Sequence, residues 1–107
     1  MLIIVDGDYI RLPVDEVMYF FADAKCVYAV TGRRTLKFES SLDTLEREYP
    51  GRFWRVHRKY LVKASAVRGL VKIDGALFAD IANATEPVPV SRREAPRIRE
   101  LFRAEAR

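Results

Sequence analysis

Phe53-Trp54-Arg55-Val56-His57-Arg58-Lys59-Tyr60-Leu61-Val62-Lys63 is the stretch around which the chain is organised. It alternates cationic groups with large apolar ones and contains no acid. Arg55, Arg58, Lys59 and Lys63 lie with His57, the only histidine, inside eleven positions. Phe53, Val56, Tyr60, Leu61 and Val62 can anchor the segment in a core while the charges face outward. The pattern reads as a half-buried strand with a basic outer face. Such a face either presents charge to a polyanion or is simply solvated.

The rest of the chain favours the polyanion. Residues 1–50 hold six Lys/Arg against nine Asp/Glu, a balance of −3. Residues 51–107 hold thirteen against six, a balance of +7. A basic half on a compact body suits DNA, RNA or an anionic membrane surface. At 107 residues, with 50% hydrophobic and 32% charged, the chain fits one globular domain spanning 1–107. No apolar run reaches the roughly 20 residues of a membrane helix. The single Cys26 allows no internal disulfide and reads as a packing residue. These features predict a cytoplasmic protein.

Turn signals divide the chain into short strands. Leu2–Val5 and Tyr9–Leu12 flank Asp6-Gly7-Asp8, a hairpin signal. Val17–Phe21 is nearly all apolar and predicts a central strand. Cys26–Val30 and Thr35–Glu39 follow, separated by Thr31-Gly32-Arg33-Arg34. Ser41 can cap a helix over about 41–49, with Leu42, Leu45 and Tyr49 as its apolar stripe and Pro50-Gly51 as its stop. Ala64–Gly69 suits a short helical turn. Leu70–Ile73 and Ala76–Ala82 flank Asp74-Gly75, and Pro87–Val90 suits only a sheet edge. Ser91 and Glu94 have capping-box spacing before a final helix over about 93–103. Pro96 requires that helix either to kink or to begin near Glu94. The tail from Ala104 is expected to fray. Turns this frequent argue for antiparallel sheets over βαβ units.

Catalysis finds little support. One histidine, one cysteine and scattered acids give no metal cluster and no nucleophile–base pair. There is no Gly-rich phosphate loop, and no cofactor is expected. Binding fits better. Arginines on loops can form paired hydrogen bonds to guanine, while lysines neutralise phosphates. Arg92-Arg93 stands at a strand-to-helix corner, where helix N-terminal amides could also meet a phosphate.

Phe53-x-Arg55-Val56-His57-Arg58-x-x-Leu61-Val62 resembles the most recognisable motif of the LytTR DNA-binding domain, the output module of bacterial response regulators. Val14–Phe20, Ala22–Val27, Ser41–Glu46 and Val88–Arg93 resemble further segments of that family, in order and spacing. The resemblance implies a mainly β fold of small antiparallel sheets stacked into an elongated body, with two or three short helices. It implies sequence-specific binding of double-stranded DNA for transcription regulation, by loops that enter successive major grooves. Carried over residue by residue, Lys25, Arg58 and Arg93 are the base-contacting side chains. His57, Lys59, Lys63, Ser91 and Arg92 are then the backbone contacts. Promoter direct repeats occupied in pairs, and a fused receiver domain in a full-length protein, are the implied partners. Lys59 and Lys63 stand where the family often has Ser and Asn, Ala24 where it often has Gly, and Cys26 where it often has Tyr.

A small β-barrel adaptor is the competing reading. One version is a PilZ-like cyclic-dinucleotide sensor, since Arg93-x-x-x-Arg97 has that arginine spacing. The companion Asp/Asn-x-Ser-x-x-Gly does not follow.

Overall fold

The computed structural model describes residues 1–5 and 7–105. Strands β1 (Leu2–Val5) and β2 (Asp8–Arg11) form a two-stranded antiparallel sheet. Asp6 of the expected turn lies outside the described residues; Gly7 has φ +84°. A 3₁₀ turn at Val14–Glu16 leads into the central sheet. Its strands are β3 (Val17–Asp23), β4 (Cys26–Thr31), β5 (Thr35–Phe38), β6 (Phe53–His57) and β7 (Tyr60–Lys63), ordered β5-β4-β3-β7-β6. Helix α1 (Leu42–Glu48) crosses between β5 and β6. A second 3₁₀ turn, Ala64–Ala66, leads to β8 (Val67–Ile73), β9 (Ala76–Ile81) and β10 (Val88–Pro89), a sheet ordered β10-β9-β8. Helix α2 (Ala95–Glu105) ends the fold. The body measures 41 × 28 × 24 Å, and none of the three sheets closes into a barrel. Among the described residues no helix is long and apolar enough to cross a membrane.

β3 is the middle strand, as its apolar run predicts. The basic stretch is not one strand. It is a hairpin, β6 and β7, that reverses at Arg58-Lys59, with a bulge between Arg55 and His57. The two faces of this hairpin enter two different cores. Phe53 and Leu61 join Phe20, Val27, Ala29, Leu36 and the α1 residues Leu42 and Leu45. Trp54, Val56 and Val62 join Ala79, Ile81 and Val88 of the third sheet and Ile98 of α2. Burial on both faces explains why so many of these positions are large and apolar. Strict alternation belongs to a strand with one wet face.

The helices start as their polar residues dictate. Ser41 Oγ accepts from the Thr44 N–H at 3.0 Å, so the predicted cap is in place. Two turns are marginal alone. Leu42 and Leu45, 4% and 0% exposed, fix α1 to the sheet, each burial contributing roughly 1.5–3 kcal/mol. At α2, Ser91 Oγ accepts from the Glu94 N–H at 3.2 Å, but the reciprocal half of the capping box is absent. Glu94 bonds Arg97 at 3.0 Å, and the Ser91 N–H reaches the Val56 carbonyl at 2.8 Å. Pro96 is the second residue of α2, where an N–H has no helical partner, so no bond is lost. The helix persists through Ala104 and Glu105, past the expected fraying point.

Candidate nucleic-acid interface

Sheet topology brings the three predicted loops together. β3 runs antiparallel to both β4 and β7, so the β3–β4 turn and the β7 end of the basic hairpin share one end of the sheet. The Ala22 N–H donates to the Lys59 carbonyl at 2.9 Å and joins the two turns directly. The Ser91–Arg93 corner is tied to the same hairpin through Ser91 N–H and Val56 O. An aromatic ladder stiffens the strand ends beneath. Phe21 stacks on Tyr28 at 5.0 Å and lies 6.4 Å from Tyr60, which meets His57 edge-on at 5.6 Å.

Lys25 is exposed on a two-residue turn, Ala24-Lys25, closed by the pair Asp23–Cys26. Both turn residues have positive φ, +48° and +67°. That is a type I′ hairpin turn, normally built from Gly or Asn. Here two side chains occupy the left-handed region, each costing of order 1 kcal/mol. Cys26 is free and half-buried beside it.

Arg58 and Arg93 face one open cleft of about 520 Å³, lined also by His57, Ser91, Asp43, Arg55 and Glu94. Arg58, Lys59, Arg92 and Arg93 are exposed. His57 is half-buried, and its Nδ1 accepts the Lys59 N–H at 3.1 Å. Burial, then the charges of Arg58, Lys59 and Arg55, lower its pKa below the usual imidazole value. The ring is therefore neutral near pH 7 with its proton on Nε2, a donor available to an anion. Helix amides contribute less here than expected. Those of Glu94 and Ala95 already bond the Ser91 carbonyl, and Pro96 has none.

The chain matches the LytTr DNA-binding domain over residues 7–103. It belongs to the LytTR DNA-binding domain family. Its structure superposes on the solved LytTr DNA-binding domain of a Bacillus cereus protein assigned as a methyl-accepting/DNA response regulator. The TM-score is 0.83 and the identity 26%, covering 95% of this chain and 94% of that one. An uncharacterised response regulatory protein of Vibrio cholerae serotype O1 (strain ATCC 39315 / El Tor Inaba N16961) is 30% identical over 93 residues. That alignment takes in 87% of this chain but 38% of the relative, so the chain spans well under half of that protein. The expected elongated, mainly β LytTR fold with short helices is the fold observed. A LytTR domain is a DNA-binding module of transcription regulation, which sets aside the barrel-adaptor reading.

Two cations of the basic stretch do not reach this end of the LytTR domain freely. Lys63 sits at the far end of β7, and its ammonium donates to the Asp15 carbonyl. Arg55, expected to face outward, folds back. Its Nε donates to the His57 carbonyl at 2.9 Å and its Nη2 to the Arg58 carbonyl at 2.7 Å. Its Nη1 reaches Asp43 at 2.8 Å and Glu46 at 3.3 Å on α1. Side-chain exposure is 18%, so these charge-assisted bonds are partly shielded from water. The Arg55 carbonyl in turn accepts from Arg97 at 2.7 Å. Arg55 thus clamps the tip of the hairpin to α1, and Arg97 clamps α2 to the hairpin. The hydrogen bond from Arg55, with its charge, holds the Asp43 carboxyl below the usual carboxylate range. Sequence reading missed both clamps. The signal was Arg55 sharing the parity of Phe53, which points to the α1 side.

Arg55→Ala is expected to lower unfolding free energy by about 1–3 kcal/mol, because bonds to a charged donor are lost. Amide exchange at 57–59 should rise more than elsewhere. Unchanged exchange in that turn, measured by hydrogen–deuterium exchange, contradicts the clamp. Ala24→Gly should raise stability by about 1 kcal/mol in urea denaturation by relieving a left-handed Cβ. A loss of stability contradicts the strain.

Proposed function

We propose that the end of this LytTR domain carrying the three turns reads double-stranded DNA sequence-specifically, its turns entering successive major grooves. The convergence of the Lys25 turn, the Arg58-Lys59 turn and the Ser91–Arg93 corner at one end of the body carries this reading. Lys25, Arg58 and Arg93 are exposed at the tips and act at base edges. A guanidinium presents two parallel donors that match guanine O6 and N7, and an ammonium reaches the same acceptors as a point charge. Lys59, Arg92 and His57 Nε2 meet phosphates. Ser91 Oγ accepts from Glu94 and still has its hydroxyl hydrogen to donate to a backbone oxygen. Lys63, held at the other end of the hairpin, is left out of this contact set. In this reading the domain is the DNA-binding output of a response regulator and occupies promoter repeats.

Selection from a random duplex library, followed by fluorescence anisotropy over a salt series, tests the reading. Arg93→Ala should cost roughly 1–3 kcal/mol on the selected site and relax its specificity. Lys59→Ala should weaken selected and scrambled duplexes alike and reduce the salt slope by about 1. Equal losses on both duplexes for both variants, or no sequence preference at moderate salt, would sink the assignment.

His57 adds a pH signature. In the free domain its protonation is disfavoured, so stability falls as pH drops below the unfolded imidazole value of about 6.5. A phosphate against Nε2 pulls the pKa the other way. The complex then binds more protons than the free domain, and affinity should rise as pH falls from 8 toward 6. His57→Gln should flatten that slope. Identical pH profiles for the two proteins contradict the phosphate contact.

A further inference from the structure

Outside the three turns, one more face concentrates uncompensated cations. Lys72 and Leu77 pair across the β8–β9 hairpin. With Arg92, Pro96 and Arg99 they line a groove of about 480 Å³ between that hairpin and α2. A second hollow of about 300 Å³, sharing Lys72, Leu77 and Arg99, continues the groove to Phe102 and Arg103. Asp74 is the one acid in either lining. Among the described residues no carboxylate lies within ion-pairing distance of Lys72, Arg92 or Arg99, whereas Arg103 is held by Glu100 at 3.3 Å. Half-buried Leu77 and Phe102 give the groove an apolar floor, against which long cationic side chains can rest their stems.

The groove is continuous with the DNA-reading end. Arg92 and Arg93 are neighbours, yet Arg93 lines the cleft with Arg58 while Arg92 lines this groove. From that corner the charge runs along α2. Arg99 and Arg103 are one turn apart, about 6 Å at 1.5 Å per residue. Arg92, Lys72 and Arg99, unpaired, with the Glu100-held Arg103 beyond them, lead away from a base-reading surface, and a duplex presents one phosphate per about 3.4 Å of its axis on each strand.

We infer that this groove holds the phosphate backbone of the duplex flanking the bases read by the three turns, with Lys72 and Arg99 as its contacts. The inference rests on the three-turn reading, and it extends the footprint beyond it. An acidic protein segment is the other polyanion such a groove would take. Continuity through Arg92 favours DNA.

Duplex length provides the test. Binding is measured by anisotropy across a salt series on a selected duplex trimmed to the read bases, and on one extended by about one helical turn, roughly 10 base pairs. The wild-type domain should bind the longer duplex more tightly and with a steeper salt slope. The double variant Lys72→Gln/Arg99→Gln should lose the gain from length, its slope on the long duplex falling by about two, near 0.9 per phosphate. Its loss should be confined to the long duplex. Arg33→Gln/Arg34→Gln removes the same charge at the β4–β5 turn, at the opposite end of the central sheet, and should keep the gain. Circular dichroism melts establish that each variant is folded. A wild type indifferent to length, or a double variant that keeps the gain, overturns the inference; a groove for an acidic protein gives the second result. Absence of sequence preference at both lengths overturns the three-turn reading and this inference with it.

Discussion

Two backbone carbonyls near the tip of the β6–β7 hairpin, those of Val56 and Lys59, hold the end of the body that carries the three turns together. Val56 accepts from Ser91 and Lys59 from Ala22. Each bond is modest, about 1 kcal/mol net. Their effect is geometric: two segments far away in sequence, the β3–β4 turn and the Ser91 corner, acquire fixed positions relative to one hairpin. The hairpin can serve as that reference because it is walled in on both faces. Phe53 and Leu61 sit in one core, Trp54, Val56 and Val62 in the other. Close packing on both sides leaves it little room to tilt.

The same end shows how charge is sorted. Of the cations in the basic stretch, Arg55 and Lys63 are spent on the protein's own carbonyls, and Arg58 and Lys59 remain in solvent. Arg55 suits its place because a guanidinium has five donors in a fixed fork and can span two carbonyls and two carboxylates at once. His57 is kept neutral by burial and by the cations around it. It contributes a directed N–H where a third charge beside Arg58 and Lys59 would be costly. At Ala24-Lys25 the fold tolerates two left-handed residues to keep a tight turn with a lysine at its tip. Strain retained at such a point fits a position held for contact.

Much of this was legible in the sequence. Asp-Gly and Thr-Gly punctuation, apolar runs and the Ser41 cap located the strands and α1, because turns and caps are decided by neighbours in sequence. The motif through Arg55, His57 and Arg58, with the Ser91–Arg93 corner, pointed to the LytTR family and to DNA. Errors came where long-range contacts decided the outcome. The basic stretch looked like one strand, since nothing local marks Arg58-Lys59 as a turn without Gly, Asn or Pro. The capping box at Ser91 was half right, since the Ser91 N–H is claimed by the Val56 carbonyl of β6, distant in sequence and brought in by the fold. Arg55 and Lys63 looked like free cations, since their acceptors are carbonyls and helix acids that the fold brings in.

By itself, then, the sequence determined the mainly β class, the two helices, the basic balance of residues 51–107 and membership of a DNA-binding family. Those follow from local backbone preference and from residue chemistry, which need no partner. Only the tertiary structure decided which cations stay free, that the Lys25, Arg58 and Arg93 loops share one end, and that a second cationic groove leaves from Arg92. Those depend on strand pairing and on which carbonyl or carboxylate lies within 3 Å, and both are properties of the packed chain.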